Sequence, residues 1–189
     1  TVPVYDFDPT GTYDKSKRYI GEKFSTDLFT DAAVNFIREY EDDRPFFLYT
    51  AYTSPHDPRT APPEFRALYR DGDISLPPNF MGKHPFDNGE MTVRDELLDA
   101  FPRQPETVRR HIADYYAMVS HLDDRIGQVI EALRETGRLD DTIIVFTADH
   151  GLGLGQHGLM GKQNLYNHSI RIPLIVAGPG VPQGKVIEE

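Results

Sequence analysis

An α/β domain, with a mostly parallel sheet flanked by helices, is the fold class this sequence predicts. Three observations predict it. Two apolar runs, 46–52 and 142–148, have the length and β-branched or aromatic content of strands without the polar alternation of a half-exposed one. Between them lies a long stretch whose apolar residues recur at helical spacing. A third apolar run, Pro173–Ala177, follows a glycine-rich loop. Strand, helix, strand, loop, strand in that order implies parallel pairing with helices packed on the faces.

Taken in order, residues 1–24 mix Pro, Gly, Tyr and charges without periodicity and read as a loop with one short strand. Leu28, Ala32, Ala33, Phe36, Ile37 and Tyr40 predict a helix over 26–40, with Ser25 or Thr26 placed to cap it. Arg44-Pro45 breaks that helix ahead of the Phe46–Tyr52 strand, which reads as buried on both faces. Residues 53–104 hold eight of the fifteen prolines and only one short helix, near Glu64–Tyr69. So long an irregular segment in a compact domain is usually functional, and it reads as a wall or lid.

A helix from Pro105 to Thr136 carries one stripe formed by Val108, Ile112, Tyr115, Tyr116, Val119, Leu122, Ile126, Val129, Ile130 and Leu133. Gly137 stands where a C-terminal cap belongs. The strand at 142–148 comes next, then the loop with Gly151, Gly153, Gly155 and Gly158. A short turn or helix near Gln163–Ser169 precedes the last strand, which ends at Gly178-Pro179-Gly180.

Composition narrows the function classes. No apolar run approaches the roughly 18 residues that span a bilayer. The net charge of -10 disfavours nucleic acid and acidic membranes as partners, because phosphate binding relies on Lys and Arg. Cysteine is absent, which removes disulfides, thiolate metal sites and a cysteine nucleophile. Thr1 in place of Met, and the ending Val186-Ile187-Glu188-Glu189, read as a piece of a longer chain.

In open α/β sheets ligands gather outside the carboxyl ends of the strands. His56 lies just past one such end and Asp149-His150 just past another. Asp149 and His150 have the donor chemistry of two ligands to a divalent cation, or else a turn cap and a packed ring. Lys162 is a point charge for anion oxygens, or a solvated loop lysine. His56, an imidazole that can carry either protonation state near neutral pH by residue type, could hydrogen-bond an anion or protonate a leaving group. His157, between Gln156 and Gly158, is placed to face the same pocket. His84, His111, His121 and His168 read as surface or packing residues, and Asp123-Asp124 as a solvated helix face.

Beyond these positions the motifs resemble a known family. Pro45-Phe46-Phe47-Leu48-Tyr49 runs into Ser54-Pro55-His56-Asp57-Pro58, and Tyr115-Tyr116-Ala117-Met118-Val119 into Leu122-Asp123 and Gly127. Thr142 to Gly151 leads to Gly155-Gln156-His157-Gly158, Lys162 and Arg171-Ile172-Pro173-Leu174-Ile175. This order resembles the middle of a sulfatase, from about Ile20 to Val181. The resemblance implies an alkaline-phosphatase-like fold, with residues 1–189 as the central part of a catalytic domain and a Pro-rich loop at 53–104. It implies hydrolysis of sulfate esters, on a sulfated small molecule or glycan, by a formylglycine made from a Cys/Ser-x-Pro-x-Arg motif. Asp149 and His150 would be two ligands of a calcium or magnesium ion. Lys162 would bind a sulfate oxygen, and His56 would contact the sulfate or its bridging oxygen. The compartment stays open: bacterial members are often exported, so the parent would be periplasmic or secreted if it is a typical bacterial sulfatase.

The departures are specific. This chain has no Cys/Ser-x-Pro-x-Arg and no paired aspartates at a strand end. Gln156 stands for the commoner Glu, His150 for the commoner Asn, and Asn167-His168 where an acidic residue is frequent. The isolated chain is therefore expected to be inactive, and its cut sheet to favour self-association. The rivals are a phosphate or phosphonate ester hydrolase of the same superfamily and a non-catalytic anion-binding module.

Overall fold

The computed structural model describes residues 3–6 and 10–187, so the expectations that involve Thr1, Glu188 and Glu189 lie outside the described residues. The opening stretch contains two short strands rather than one: β1 (Pro3–Val4) and β2 (Tyr19–Ile20) pair antiparallel.

Helix α1 (Ser25–Glu39) buries Thr26, Thr30, Ala33, Val34 and Ile37, a spacing of three and four residues that makes one stripe. Neither expected cap forms. Phe24 occupies the capping position, Thr26 is buried, and the Ser25 hydroxyl instead meets the Thr53 hydroxyl at 2.9 Å. Helix α2 (Pro63–Arg66) is the single turn expected in the Pro-rich segment.

Helix α3 (Pro105–Glu135) organises the rest. Pro105 begins it where the missing N–H costs nothing. Gly137 ends it at φ +69°, with Gly137 N donating to the Arg134 carbonyl and Arg138 N to that of Leu133. The C-terminal half packs Ala132 and Leu133 on Val34 and Ile37, with Phe46, Leu48 and Ile144 against them. The N-terminal half packs Val108 and Ile112 on Leu154, with Ile74, Leu76 and Phe80 against them. The buried face differs from the expected stripe at two points. Tyr116 and Val119 are exposed, while Ala113, Ala117 and His121 are buried.

Strand β3 (Ile144–Thr147) pairs with β4 (Leu174–Ala177), from Ile144 opposite Ala177 to Thr147 opposite Leu174. The pairing is antiparallel, not parallel. A parallel pair needs a crossover element to return the chain, and the only helix between these strands is the one-turn α4 (Asn167–Ile170). The 46–52 run is extended, but no strand pairs with it among the described residues. It is also one-sided: Phe46 and Leu48 turn toward the helices, whereas Phe47 is 89% and Tyr49 79% exposed. A strand is buried on both faces only when layers exist on both, and here helices cover one. No helix among the described residues is long and apolar enough to cross a membrane.

Candidate active site

Two loops that leave the ends of apolar runs meet across the molecule. After the extended 46–52 run the chain tightens at His56, whose N–H donates to the Thr53 carbonyl at 2.9 Å. His56 Nδ1 donates to the Asp57 carbonyl at 3.0 Å. A carbonyl only accepts, so this ring carries its proton on Nδ1 and leaves the Nε2 lone pair open. Lys162 Nζ sits 2.8 Å from that Nε2. The ammonium has only donors, so it fills the lone pair, and the pair reads as Lys162 donating to a neutral His56.

Beneath His56, Asp57 and Arg59 form an almost fully buried ion pair at 3.0 Å. Their approach is off hydrogen-bond alignment. Burial lowers the Arg59 pKa from its ordinary value, with the Asp57 charge acting against that shift. Arg59 Nη2 also reaches the Met160 carbonyl at 3.4 Å, which ties the His56 loop to the Lys162 loop.

Lys162 lies in a loop held from several sides. Gly153 N donates to the Gly161 carbonyl at 2.9 Å, and Gly151 N to that of Ser169 at 2.7 Å. A side chain at Gly151 would put its Cβ 1.9 Å from the His168 carbonyl, so only glycine allows this approach. Glu96 accepts from Met160 N at 3.0 Å, Gly161 N at 2.9 Å and the buried Arg103 Nη2 at 2.5 Å. Asp95 is 3.4 Å from Lys162 Nζ and accepts from Gln163 Nε2 at 3.1 Å and Arg94 Nη2 at 2.7 Å. Burial would raise the Asp95 carboxyl, but the Arg94 and Gln163 hydrogen bonds and the charges of Lys162 and Arg94 hold it down to about 2.

Asp149 and His150 follow β3 as expected, and their contacts are local. Asp149 is 87% exposed; Oδ1 accepts from His150 N at 2.9 Å, and Oδ2 stands 3.5 Å from His150 Nε2. His150 Nδ1 donates to the Gly151 carbonyl at 2.9 Å, which leaves Nε2 as the ring's ligand atom. The open carboxylate and the free imidazole nitrogen suit a divalent cation. Among the described residues, however, no group of three or more His, Cys, Asp or Glu is placed to hold one. A hard cation takes six or more ligands, so these two groups alone could be only part of a set.

His157 is engaged elsewhere. At φ +54° it stacks on Tyr166 with ring centroids 4.1 Å apart, and its Nε2 accepts from Asn79 Nδ2 at 3.0 Å. Asn79, Gln156, His157, Leu165, Tyr166, Asn167 and His168 line one cavity of about 410 Å³. Burial, with the charge of His157 adding to it, pushes the His168 ring down to about 4. His84 and His121 are buried packing residues. His84 Nδ1 bonds the His157 carbonyl, and His121 Nε2 bonds Asp27 at 3.0 Å.

Sequence reasoning passed over Asp95, Glu96 and Arg103. They lie in the irregular Pro-rich segment, where no period marks a buried position. The one available signal is Asp-Glu flanked by Arg94 and Arg103, and such clusters are common on solvated surfaces.

The sulfatase family model matches residues 3–189. The chain is 39% identical over 153 residues to the choline-sulfatase of Rhizobium meliloti (strain 1021), covering 78% of this chain and 30% of that protein. Among solved structures, the phosphonate monoester hydrolase SpPMH from Silicibacter pomeroyi aligns at a TM-score of 0.72 and 29% identity, over 98% of this chain and 39% of that one. Ps i-CgsB in complex with k-i-k-neocarrahexaose aligns at 0.58 and 26% identity, over 88% of this chain and 30% of that one. The fold is thus a partial α/β domain of the alkaline-phosphatase-like kind, and this chain spans less than half the length of each of these proteins. With a family match over all but its first two residues, the chain belongs to the sulfatase family.

Proposed function

We propose that this chain supplies the leaving-group and anion-binding side of a sulfatase active site, in a longer protein that hydrolyses sulfate esters. The observation that carries the reading is the 2.8 Å contact between Lys162 Nζ and His56 Nε2, made across 106 residues by the loops that follow the 46–52 run and β3. A cation and an imidazole that converge there fit a tetrahedral anion and its bridging oxygen.

Lys162 brings three N–H donors, of which His56 takes one. A sulfate oxygen that takes another gains a charge-assisted bond, which strengthens as negative charge builds on the ester. His56 is held by the Asp57 carbonyl with Nε2 facing Lys162. Nε2 has no proton of its own in this arrangement, so a general-acid role at the bridging oxygen requires Lys162, its hydrogen-bond donor, to pass one to it as the S–O bond breaks. Asp149 and His150 are placed to give two ligands to a calcium or magnesium ion. When bound, that ion would offset charge on the sulfate. A formylglycine from outside this chain would be the nucleophile, and without it the isolated chain is expected to turn over nothing. His157, locked by Asn79 and Tyr166, acts through the 410 Å³ cavity as a wall for the alcohol part of the substrate. The carbohydrate bound in the Ps i-CgsB structure supports a sulfated sugar as the substrate class, and the choline-sulfatase relative supports a small sulfated alcohol.

The phosphonate monoester hydrolase neighbour favours a second reading, because Lys162 and a cation stabilise either tetrahedral anion. Turnover of an aryl sulfate and an aryl phosphonate by the intact protein decides between them. The sulfate is expected to react with the higher kcat/KM, and Lys162→Ala to reduce it at least about a hundredfold. A preference for the phosphonate, or metal-dependent turnover by the 189-residue chain alone, would overturn the reading.

A further inference from the structure

The Pro-rich segment contributes a buried carboxylate to the centre of this site. Asp95 is 2% exposed, and each of its oxygens has a charged or amide partner. Oδ1 accepts from Arg94 Nε at 3.0 Å and Nη2 at 2.7 Å. Oδ2 accepts from Gln163 Nε2 at 3.1 Å and stands 3.4 Å from Lys162 Nζ. The same Gln163 amide accepts from Lys162 N through Oε1 at 3.1 Å, so it bridges the lysine backbone to the carboxylate beside its ammonium. Next to Asp95, Glu96 clamps the backbone of Met160 and Gly161. Two consecutive acidic residues thus hold one loop, Glu96 by its main chain and Asp95 by its cation.

We propose that Asp95 is a positioning residue: it anchors Lys162 against His56 and so keeps His56 in the single tautomer that bears its proton on Nδ1. A lysine side chain has four rotatable carbon bonds and gains little by itself from one neutral nitrogen acceptor. The ionic contact with Asp95 offsets the entropy of holding it there. Without the anchor, the ammonium returns to solvent and only the Asp57 carbonyl is left to favour Nδ1–H, so the ring begins to exchange tautomers. The link to catalysis rests on the sulfatase reading. The tautomer does not, so the two can fail separately.

Long-range ¹H–¹⁵N correlation of the imidazoles in the 189-residue chain tests this at about pH 8, where an ordinary imidazole is neutral. The wild type is expected to show His56 with only Nδ1 protonated. Asp95→Asn, of equal size and without charge, is expected to move the His56 nitrogens toward a tautomer average, and Asp95→Glu to restore them at least in part. Arg94→Ala, which touches Asp95 and not Lys162, should leave them in place. If Asp95→Asn does not fold, Gln163→Leu, at an exposed position, is expected to give the same shift by releasing Oδ2. A folded Asp95→Asn or Gln163→Leu chain that keeps the pure Nδ1–H signature overturns the proposal. Turnover by the intact protein then judges the sulfatase reading on its own.

Discussion

The two sides of α3 are built differently. Around its C-terminal half lie β3, β4 and the extended 46–52 run, whose outer faces present Phe47, Tyr49, Val145, Leu174 and Ile175 to solvent. Around its N-terminal half lie the Pro-rich segment and the glycine-rich loop, where Asp95, Glu96, Arg103 and His84 are buried. The apolar side is open and the polar side is closed. The difference shows which part of the fold is self-sufficient. The loops complete their own hydrogen bonding through Glu96, Arg103 and Asp95. The sheet exposes apolar area and unpaired edges that call for more chain or another copy to cover them.

The strongest way to break that contrast is Glu96→Ala. It leaves Arg103 buried without its carboxylate and two backbone N–H groups unmatched. A loss of about 3–5 kcal/mol is expected in urea unfolding, as for other broken buried pairs. If Glu96→Ala unfolds with the wild-type midpoint, the loop side is not held as described.

Acid weakens the same side. Asp95 is depressed to about 2 in the fold. Its contribution is therefore complete above the unfolded carboxylate range, near pH 4, and is lost as pH falls toward 2. From that shift it amounts to about 2 kcal/mol. Asp95→Asn should remove this acid-limb dependence from the stability curve. His168 acts in a separate window. Its ring is held down to about 4, so between pH 6.5 and 4 the unfolded chain takes up a proton that the fold refuses. Stability falls as pH falls through that range, and His168→Gln should flatten the slope between thermal melts at about pH 7 and pH 5.

Charge pairs on the open side should matter far less. Arg38 and Glu135 join α1 to α3 at 2.7 Å, but both are about half exposed. Glu135→Gln is expected to cost at most about 1 kcal/mol in the same unfolding assay. Smallest in stability is Phe47→Ser with Tyr49→Ser, within about 0.5 kcal/mol because neither ring is buried. That pair sharpens the comparison through a different readout. Sedimentation at rising concentration should show the wild type associating and the double variant remaining monomeric.

The helices were legible because their evidence is periodic. Val108, Ile112, Leu122 and Leu133 recur at helical spacing, and Pro105 and Gly137 mark the ends. The strand-end residues were legible as candidates because His56 and Asp149 follow apolar runs. What could not be read is any contact without a period. Asp95 meets Lys162 across 67 positions, and neither has a neighbour whose spacing announces the other. The expected burial of 46–52 on both faces failed for a related reason. A run of apolar residues states what a segment can bury, while the number of layers beside it depends on other segments.

Sequence alone therefore determined the helices and the last two strands in their order, the span of α3, the family, and His56, Asp149, His150 and Lys162 as candidates. Each follows from local propensity or from ordered motifs, which are properties of neighbours along the chain. Tertiary structure decided that β3 and β4 run antiparallel, that His56 and Lys162 touch, and that Asp95 and Glu96 stand behind them. It also turned His157 toward Tyr166 and Asn79. Those outcomes depend on which distant groups become neighbours when loops close, and on burial making an unpaired charge too costly to leave.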